Sequence, residues 1–557
     1  MPTLNWIGKD KVVTHHNDVP FRVLDRKYTF GDTPDSGNKI IHGDNLEALK
    51  ALLPEYEGKI KCIYIDPPYN TGNEGWVYND NVNDPHIKKW LGQVVGDEVD
   101  DLTRHDKWLC MMYPRLVLLQ KLLKRDGLIF VAIDDNEQPY LRLILDEIFG
   151  KTNFIAQFIW RGGKRNLAKW VSTSHEYMIM YAKDLNYCNS LGISWKEQKQ
   201  GISDIYKAAE NCVSQSKRDY KRATLLLKDW FRKLPEGHPS KDHEHYCNID
   251  AVGVYCMDNV SRVGGGKYSV ISPLTGNVIN PPSRGWTYGK EEDFWKAYEE
   301  GIIEFTPNDT LPVFKRYLKD NETQIVETVF YKDRRGSSRR LKELMGSDAF
   351  PFPKDEEVLF RFFQIFTEKD AIILDSFAGS GTTAHAVLNL NKQDGGNRKF
   401  IISEMMDYAE TLTAERVRRV MIGYGEGKNA VEGTGGSFDF YELGETIFDP
   451  VSGNLNDNAD AEQIRRYVWF SETNSAYVAP GKDAHPYLLG SYQHNNYYFF
   501  YIQGEETCLD WDFLNTLTER DRAEMYIIYA DRCVLTPEEM LKLNIVFKKI
   551  PRDIKRV

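Results

Sequence analysis

No apolar run in the sequence approaches the roughly 20 residues that a bilayer-spanning helix needs, which excludes a helical membrane protein. The opening residues, MPTLNWIGKDKVV, carry no apolar stretch of the secretory kind, so the expected location is cytoplasmic. Cysteine is sparse. The eight residues, at 62, 110, 188, 212, 247, 256, 508 and 533, form no Cys-x-x-Cys pair. In a long intracellular chain that excludes a disulfide frame and reads as scattered reduced thiols. His243, His245, Cys247 and Cys256 crowd together, but their spacing fits no zinc pattern and no metal is expected. A Gly-Lys-Ser/Thr phosphate loop is missing, as is the third glycine of a dinucleotide fingerprint, which disfavours ATP and NAD. No repeat of fixed period is present.

What is there is an ordinary globular composition: 557 residues, 41% hydrophobic and 27% charged. At about 150 residues each, three to four domains are expected. The net charge of −11 argues, taken alone, against a nucleic-acid partner, because phosphates repel an acidic surface. Its distribution says otherwise. Residues 151–345 hold 31 Lys and Arg against 24 Asp and Glu, a balance of +7, while the remainder holds 40 against 58, a balance of −18. Positive charge is concentrated in the middle of the chain.

The chain reads as alternating strands and helices, the pattern of an α/β fold with a mainly parallel sheet. Residues 1–30 look irregular. A strand at 39–42 leads through Gly43–Asp44 to a helix over 46–56, with Asn45 as its expected cap. Further strands are expected at 60–65 and 128–134, with helices over about 107–124 and 136–148. The alternation breaks over 161–345, which reads as an inserted domain. It resumes with a strand at 371–375, a helix at 382–390, a strand at 399–404 and a helix over about 407–421. Six glycines within 423–436 suggest a linker before a tail with strands at 497–503 and 525–530. The expected division is an N-terminal extension (1–38), a catalytic half (39–160), the insert (161–345), a cofactor-binding half (346–422) and a C-terminal domain (437–557).

Two constellations carry chemistry. In Asp375–Gly381 a glycine turn joins a strand to a helix, so backbone can approach a ligand and the helix offers free amides. Glu404, ending the next strand, can accept from ribose hydroxyls. A tight turn made only for packing has the same look. The second constellation is Asp66–Pro67–Pro68–Tyr69. Two prolines directly after a buried strand cannot continue the sheet. They leave a rigid wall with a carboxylate on one side and a flat ring on the other. An amine held between the Asp66 carboxylate and a carbonyl turns its lone pair outward, and Tyr69 can stack on the base that carries it. A plain strand-ending turn is the alternative.

Asp66–Pro67–Pro68–Tyr69 followed by Asn70–Thr71–Gly72, with Asp375–Ser376–Phe377–Ala378–Gly379–Ser380–Gly381–Thr382–Thr383 far downstream, resembles the S-adenosylmethionine-dependent DNA amino-methyltransferases. Catalytic motif first, cofactor motif last, is the permuted order of their β class. Gly43–Asp44–Asn45–Leu46, Phe352–Pro353–Lys354 and Trp160 with His175–Glu176–Tyr177 agree with it. Two departures stand out: Asp355 replaces the usual proline after Lys354, and Ser376 the usual proline after Asp375. The segments GWTYGKEEDFWKAYEEGIIEF and GGSFDFYELG resemble modification (Mod) subunits of type III restriction–modification systems.

The resemblance implies a Rossmann-like methyltransferase fold, S-adenosylmethionine as cofactor, and an inserted target-recognition domain beside an α+β C-terminal domain. Asp66, Pro67, Pro68 and Tyr69 would be catalytic. Asp44, Asp66, Phe352, Lys354, Asp375, Phe377, Gly379, Gly381, Thr382 and Glu404 would line the cofactor site. The partners implied are double-stranded DNA, a second copy of the chain and a restriction subunit, with residues 437–557 expected to help hold the pair or that partner. Three basic clusters are candidate DNA contacts: Arg161, Lys164, Arg165 and Lys169; Lys217, Arg218, Lys221 and Arg222; Arg334, Arg335, Arg339 and Arg340. Asp at 66, where cytosine-amine enzymes more often carry Ser, favours adenine as the target. Cytosine, RNA, or a specificity subunit with a decayed site are the alternatives.

Overall fold

The structure is a computed structural model, and it describes residues 3–71, 85–95, 103–163, 170–305, 311–449, 452–517 and 523–555. Two compact units are present, Met1–Ile193 with Glu327–Val557, and Ser194–Val326. The first is built on a ten-stranded sheet. Its strands are β1 (Arg22–Phe30), β2 (Lys39–His42), β3 (Ile60–Ile65), β4 (Leu123–Ile133), β5 (Phe154–Arg161), β6 (His175–Ala182), β7 (Val329–Tyr331), β8 (Ile372–Asp375), β9 (Lys399–Glu404) and β10 (Phe438–Thr446). In space they run β1-β10-β2-β9-β8-β3-β4-β6-β5-β7. From β10 to β4 every neighbour is parallel. The sheet is mixed and mainly parallel, as the strand–helix alternation predicts.

Each central strand is apolar on both faces because helices cover both. β3, IKCIYI, is buried throughout. Its one charge, Lys61, is matched by Asp126 and Glu368, each 2.9 Å from its Nζ. The helices that matter for the site are α1 (Asn45–Tyr56), α2 (Arg104–Leu122), α3 (Arg335–Met345), α4 (Glu356–Phe366), α5 (Thr382–Asp394) and α6 (Glu415–Ile422). α2 opens on a capping box in which Thr103 and Asp106 bond reciprocally. No described helix is long and apolar enough to cross a membrane.

Four local expectations change. The cap of α1 is Asp44, whose Oδ1 accepts from the amide of Leu46 at 2.8 Å, so the helix starts one residue earlier. Asn45 turns inward instead. Residues 22–30 form β1, an antiparallel edge strand on β10. Asp25, Arg26 and Lys27, which made the segment look irregular, are exposed on this edge strand. The glycine-rich stretch is a short hairpin, Gly423–Tyr424 with Val431–Glu432, that feeds β10. The separate compact unit, Ser194–Val326, is narrower than the 161–345 segment, because β5, β6 and β7 extend the main sheet.

That second unit packs helices Ile202–Gln215 and Tyr220–Lys233 around Ile205, Leu227 and Phe231. It also holds a smaller aromatic cluster around Trp286 and Phe294. Within the first unit the C-terminal residues form α7 (Ala461–Thr473) and a four-stranded sheet of β11 (Leu488–Tyr492), β12 (Asn495–Phe499), β13 (Met525–Ala530) and β14 (Ile545–Lys549). Tyr467 and Phe470 of α7 belong to the same core as Leu49 of α1.

β10 lies inside the sheet, so the chain should not survive removal of everything after residue 436. Phe438, Phe440 and Tyr441 are buried there. At about 2 kcal/mol for each buried side chain, their loss alone approaches the roughly 5–15 kcal/mol net stability of a domain. In a chain ending at residue 436 the first unit is expected to lose its cooperative thermal transition. A sharp transition near that of the full chain would contradict the placement of β10.

Candidate active site

Strands β3 and β8 are adjacent and parallel, with Cys62 opposite Ile373 and Ile63 opposite Leu374. Their carboxyl ends therefore release Asp66–Tyr69 and Ser376–Gly381 side by side, in the position where open parallel sheets bind ligands. A cleft between them is lined by Tyr64, Asp66, Phe350, Phe352, Lys354, Asp375, Phe377, Ala378, Gly379, Ser380, Thr382 and Thr383. It gathers both motifs and the segment before α4 in one place.

On the β3 side, Trp108 of α2 donates its Nε1 proton to the Pro68 carbonyl at 2.7 Å and so fixes the turn. Asn70 takes a left-handed backbone, φ 58°, and its amide bonds to the Arg104 carbonyl at 3.2 Å and to Glu137. Gly72 lies outside the described residues. Asp66 and Tyr69 are buried, and Lys354 reaches both. Its Nζ is 3.3 Å from Asp66 Oδ1 and 2.5 Å from the Tyr69 hydroxyl. Lys354 also donates to Glu176 Oε2 at 2.9 Å, and the Tyr69 hydroxyl donates to that same oxygen at 3.1 Å. Burial drives the Asp66 carboxyl above its ordinary range, although Lys354 opposes it. Burial also pulls the Lys354 ammonium down, but Asp66 and Glu176 together outweigh that and raise it. Glu176, desolvated but flanked by Lys354 and Arg334, ends below the usual carboxylate range. Asp66 Oδ1 is buried and makes no hydrogen bond.

On the β8 side, Asp375 organises the turn. Its Oδ1 accepts from the Phe377 amide at 2.9 Å and its Oδ2 from the Thr383 hydroxyl at 2.5 Å. Gly379 and Gly381 take φ of 51° and 81°, which only glycine adopts without strain. A Cβ on Gly381 would stand 3.2 Å from the Thr413 carbonyl oxygen. No side chain caps α5, whose first residues Thr382 and Thr383 line the cleft. Arg416 of α6, almost fully buried, donates to Ser380 Oγ at 2.7 Å and Thr382 Oγ1 at 2.9 Å. Glu404 accepts from the amides of Gly379 at 2.8 Å and Met406 at 3.0 Å. Asn45 accepts from Arg115 at 2.5 Å and donates to the Ser376 carbonyl at 2.9 Å, tying α1 to this turn.

Not every expected residue joins this group. Asp44 caps α1, pairs with Arg115 at 3.5 Å and lines a different depression beside His15 and Trp90. Phe352 is 65% exposed at the mouth of the cleft. Of the basic clusters, Arg161 is exposed at the end of β5, while Lys164, Arg165 and Lys169 lie outside the described residues. Lys217, Arg218, Lys221 and Arg222 are exposed at the turn between two helices of the second unit. The third cluster does not make one basic face. Arg334 faces Glu176 at 3.7 Å, and Arg340 pairs with Asp355 and Glu356. Arg335 bonds Asp333, and Arg339 lies 3.9 Å from Glu343. These acids come from other elements or from an adjacent turn, so the run of arginines alone does not disclose them.

Glu176 and Arg416 are the residues to which the sequence assigns no role. A signal for the first exists: an acid within HEYMIMYA, on the face shared with Met178 and Met180, predicts a buried charge that must have partners. No such signal marks Arg416. The Tyr69 hydroxyl is a further addition, since stacking requires only the ring.

Burial holds the Asp375 carboxyl up at about 7 against an ordinary value of 3.8, with the bonds from Thr383 and Phe377 opposing and Asp66 adding to the rise. An acid raised on folding keeps its proton more tightly in the native state. Its stabilising effect is full below the unfolded value and is lost as pH climbs to the folded one. Unfolding free energies of Asp375→Asn should therefore decline less than those of the parent chain between about pH 4.5 and about pH 7.5. Urea titrations at both values test this, and equal declines would refute it.

Comparison with known proteins fits this geometry. A model of the DNA methylase family, N6/N4 type, matches residues 60–432, a span that contains both motifs. The chain is 32% identical over 426 residues to the Mod subunit of the type III restriction–modification enzyme EcoP15I of Escherichia coli, covering 72% of this chain and 64% of that protein. It is 33% identical over 435 residues to the EcoPI Mod subunit of Escherichia phage P1, covering 72% and 62%. To the type II methyltransferase M.KpnI of Klebsiella pneumoniae it is 28% identical over 392 residues, covering 68% and 84%. The chain thus spans less than two thirds of the length of the two Mod subunits. With a mainly parallel α/β sheet of the Rossmann-like methyltransferase kind, both motif loops on neighbouring strands, and a family match over most of its length, the chain belongs to the N6/N4 DNA methylases.

Proposed function

We propose that the protein transfers a methyl group from S-adenosylmethionine to the exocyclic amine of adenine in double-stranded DNA, as the modification subunit of a type III-like restriction–modification system. The observation that carries this reading is Asp66 Oδ1. A buried carboxylate oxygen that has the Lys354 ammonium at 3.3 Å but no hydrogen bond, in the lining of a cleft, keeps acceptor capacity for a further donor. An amine supplies that donor.

The cleft residues suit the cofactor: glycine backbone, the uncapped start of α5, the Phe377 ring and the buried, unpartnered Ser376 Oγ. S-adenosylmethionine supplies, when bound, a methyl group already activated on a sulfonium. The chain's own residues position and accept. Tyr69 stacks on a base turned out of the duplex, whose extrusion costs a few kcal/mol. Asp66 and the Pro67 carbonyl accept the two amine hydrogens and leave the nitrogen lone pair directed toward the cleft. Asp66, its carboxyl already raised by burial, or a water beside it, takes the proton released. Glu404 and Phe377 hold the ends of the cofactor, and the exposed Lys217–Arg222 turn contributes phosphate contacts. The Mod-subunit relatives support a restriction subunit as partner, and the family resemblance supports a pair of copies. Asp rather than Ser at 66 favours adenine over cytosine.

DNA exposed to the protein and S-adenosylmethionine, digested to nucleosides and weighed, should yield methylated adenine. Methylated cytosine would move the target, and no methylated base would reject the reading. Asp66→Ala is expected to lose methylation while retaining its melting temperature and its affinity for S-adenosylmethionine. More than a few per cent of the parental rate would remove Asp66 from the chemistry. Gly379→Val puts a branched side chain where the ligand must approach, on a left-handed backbone that valine adopts only with strain. Calorimetry should then find S-adenosylmethionine binding lost, with a lowered but still cooperative apo melting transition, and unaltered affinity would make the turn merely structural.

A further inference from the structure

Lys354 poses a problem for the chemistry just described. An ammonium 3.3 Å from Asp66 can occupy the acceptor that the substrate amine needs. In a buried site the attraction is strong, and nothing in solvent competes for it. The structure keeps the ammonium in ion-pair range of Asp66 but directs its hydrogen bonds elsewhere. Its hydrogen bonds go to Glu176 Oε2 at 2.9 Å and to the Tyr69 hydroxyl, while Asp66 Oδ1 receives none. Glu176 is buried on β6, opposite Trp160 of β5, and its second oxygen faces Arg334 at 3.7 Å. The same Glu176 oxygen that draws Lys354 also accepts from the Tyr69 hydroxyl at 3.1 Å. One carboxylate thus fixes both the cation beside Asp66 and the ring expected to stack on the base.

We propose that Glu176 is a positioning residue for methyl transfer: it takes the hydrogen bonds of Lys354, so that the ammonium beside Asp66 leaves Oδ1 open to the substrate amine, and it pins the Tyr69 ring through its hydroxyl. The inference rests on the function proposed above and assigns a role to a residue outside both motifs. Without Glu176, Lys354 closes on Asp66 and competes with the substrate, and Tyr69 loses one of the two partners that orient it.

The charged and titratable groups facing Asp66 are Lys354, Glu176, Tyr69, Tyr64 on its own strand and Asp375 on β8. Of these, Glu176 raises the Asp66 carboxyl and Lys354 lowers it. Neutralising Glu176 therefore makes Asp66 more acidic. The test is the pH profile of single-turnover methylation by the full chain, with S-adenosylmethionine affinity measured alongside. Glu176→Gln should lower the plateau rate about 10- to 100-fold, as expected for a misplaced reacting group, and should shift the acid limb to lower pH. Glu176→Asp keeps the charge but shortens the reach; it should lower the rate with the acid limb unmoved. Bound S-adenosylmethionine should be retained in both. A parental rate in either variant, or an unmoved acid limb in Glu176→Gln, overturns the proposal. Should Glu176→Gln fail to fold, the rate of Glu176→Asp decides. Parental protein that methylates no amine rejects the function itself, whereas active parental protein with indifferent Glu176 variants rejects only this role.

Discussion

The site depends on the parallel pairing of β3 with β8. Cys62 and Ile63 lie opposite Ile373 and Leu374, so two loops distant in sequence leave neighbouring strands at the same end of the sheet. Both strands are buried, β3 along its full length and β8 except at its first residue. A one-residue slip would turn buried side chains to the wrong face, which is why register is strongly specified here. The separation of the two motif loops is thus set by the core and not by the loops themselves.

Charge is then arranged around that fixed pair. Asp66 and Glu176 are buried, and the half-buried Lys354 joins them, with Arg334 at the margin. Two acids and one ammonium in a dry site cost desolvation that their mutual attraction only partly offsets. Such a cluster does little for stability, and its value lies in holding polar atoms at set distances. The opposite directions of the Asp66 and Glu176 carboxyls express this. Both are desolvated, but Glu176 has two cations against it, and Asp66 has a share of one.

The glycine turn shows a similar division of labour. Asp375 bonds both ends of the turn, Arg416 holds Ser380 and Thr382 from below, and Glu404 accepts from the Gly379 amide. The turn is supported from three elements, so its backbone can face a ligand without side chains of its own. Asn45 joins α1 to the same turn through the Ser376 carbonyl. The two halves of the domain therefore meet through specific polar bonds as well as through the sheet.

The sequence by itself determined the α/β class, the strands that lead into Asp66 and Asp375, and the glycine turn. These rest on local physics: unbroken apolar runs, prolines that stop a sheet, and glycines where φ must be positive. Tertiary structure decided what distant residues do to one another. RVLDRKYTF is a strand only because Phe438–Thr446 lies beside it. Arg334 and Arg340 face buried acids instead of solvent, because those acids arrive from β6 and from the start of α4. Asp44 caps a helix away from the cleft, and Glu176 enters the site from a strand that carries neither motif. Strand order and side-chain pairing are long-range properties, and no local pattern encodes which charge will meet which.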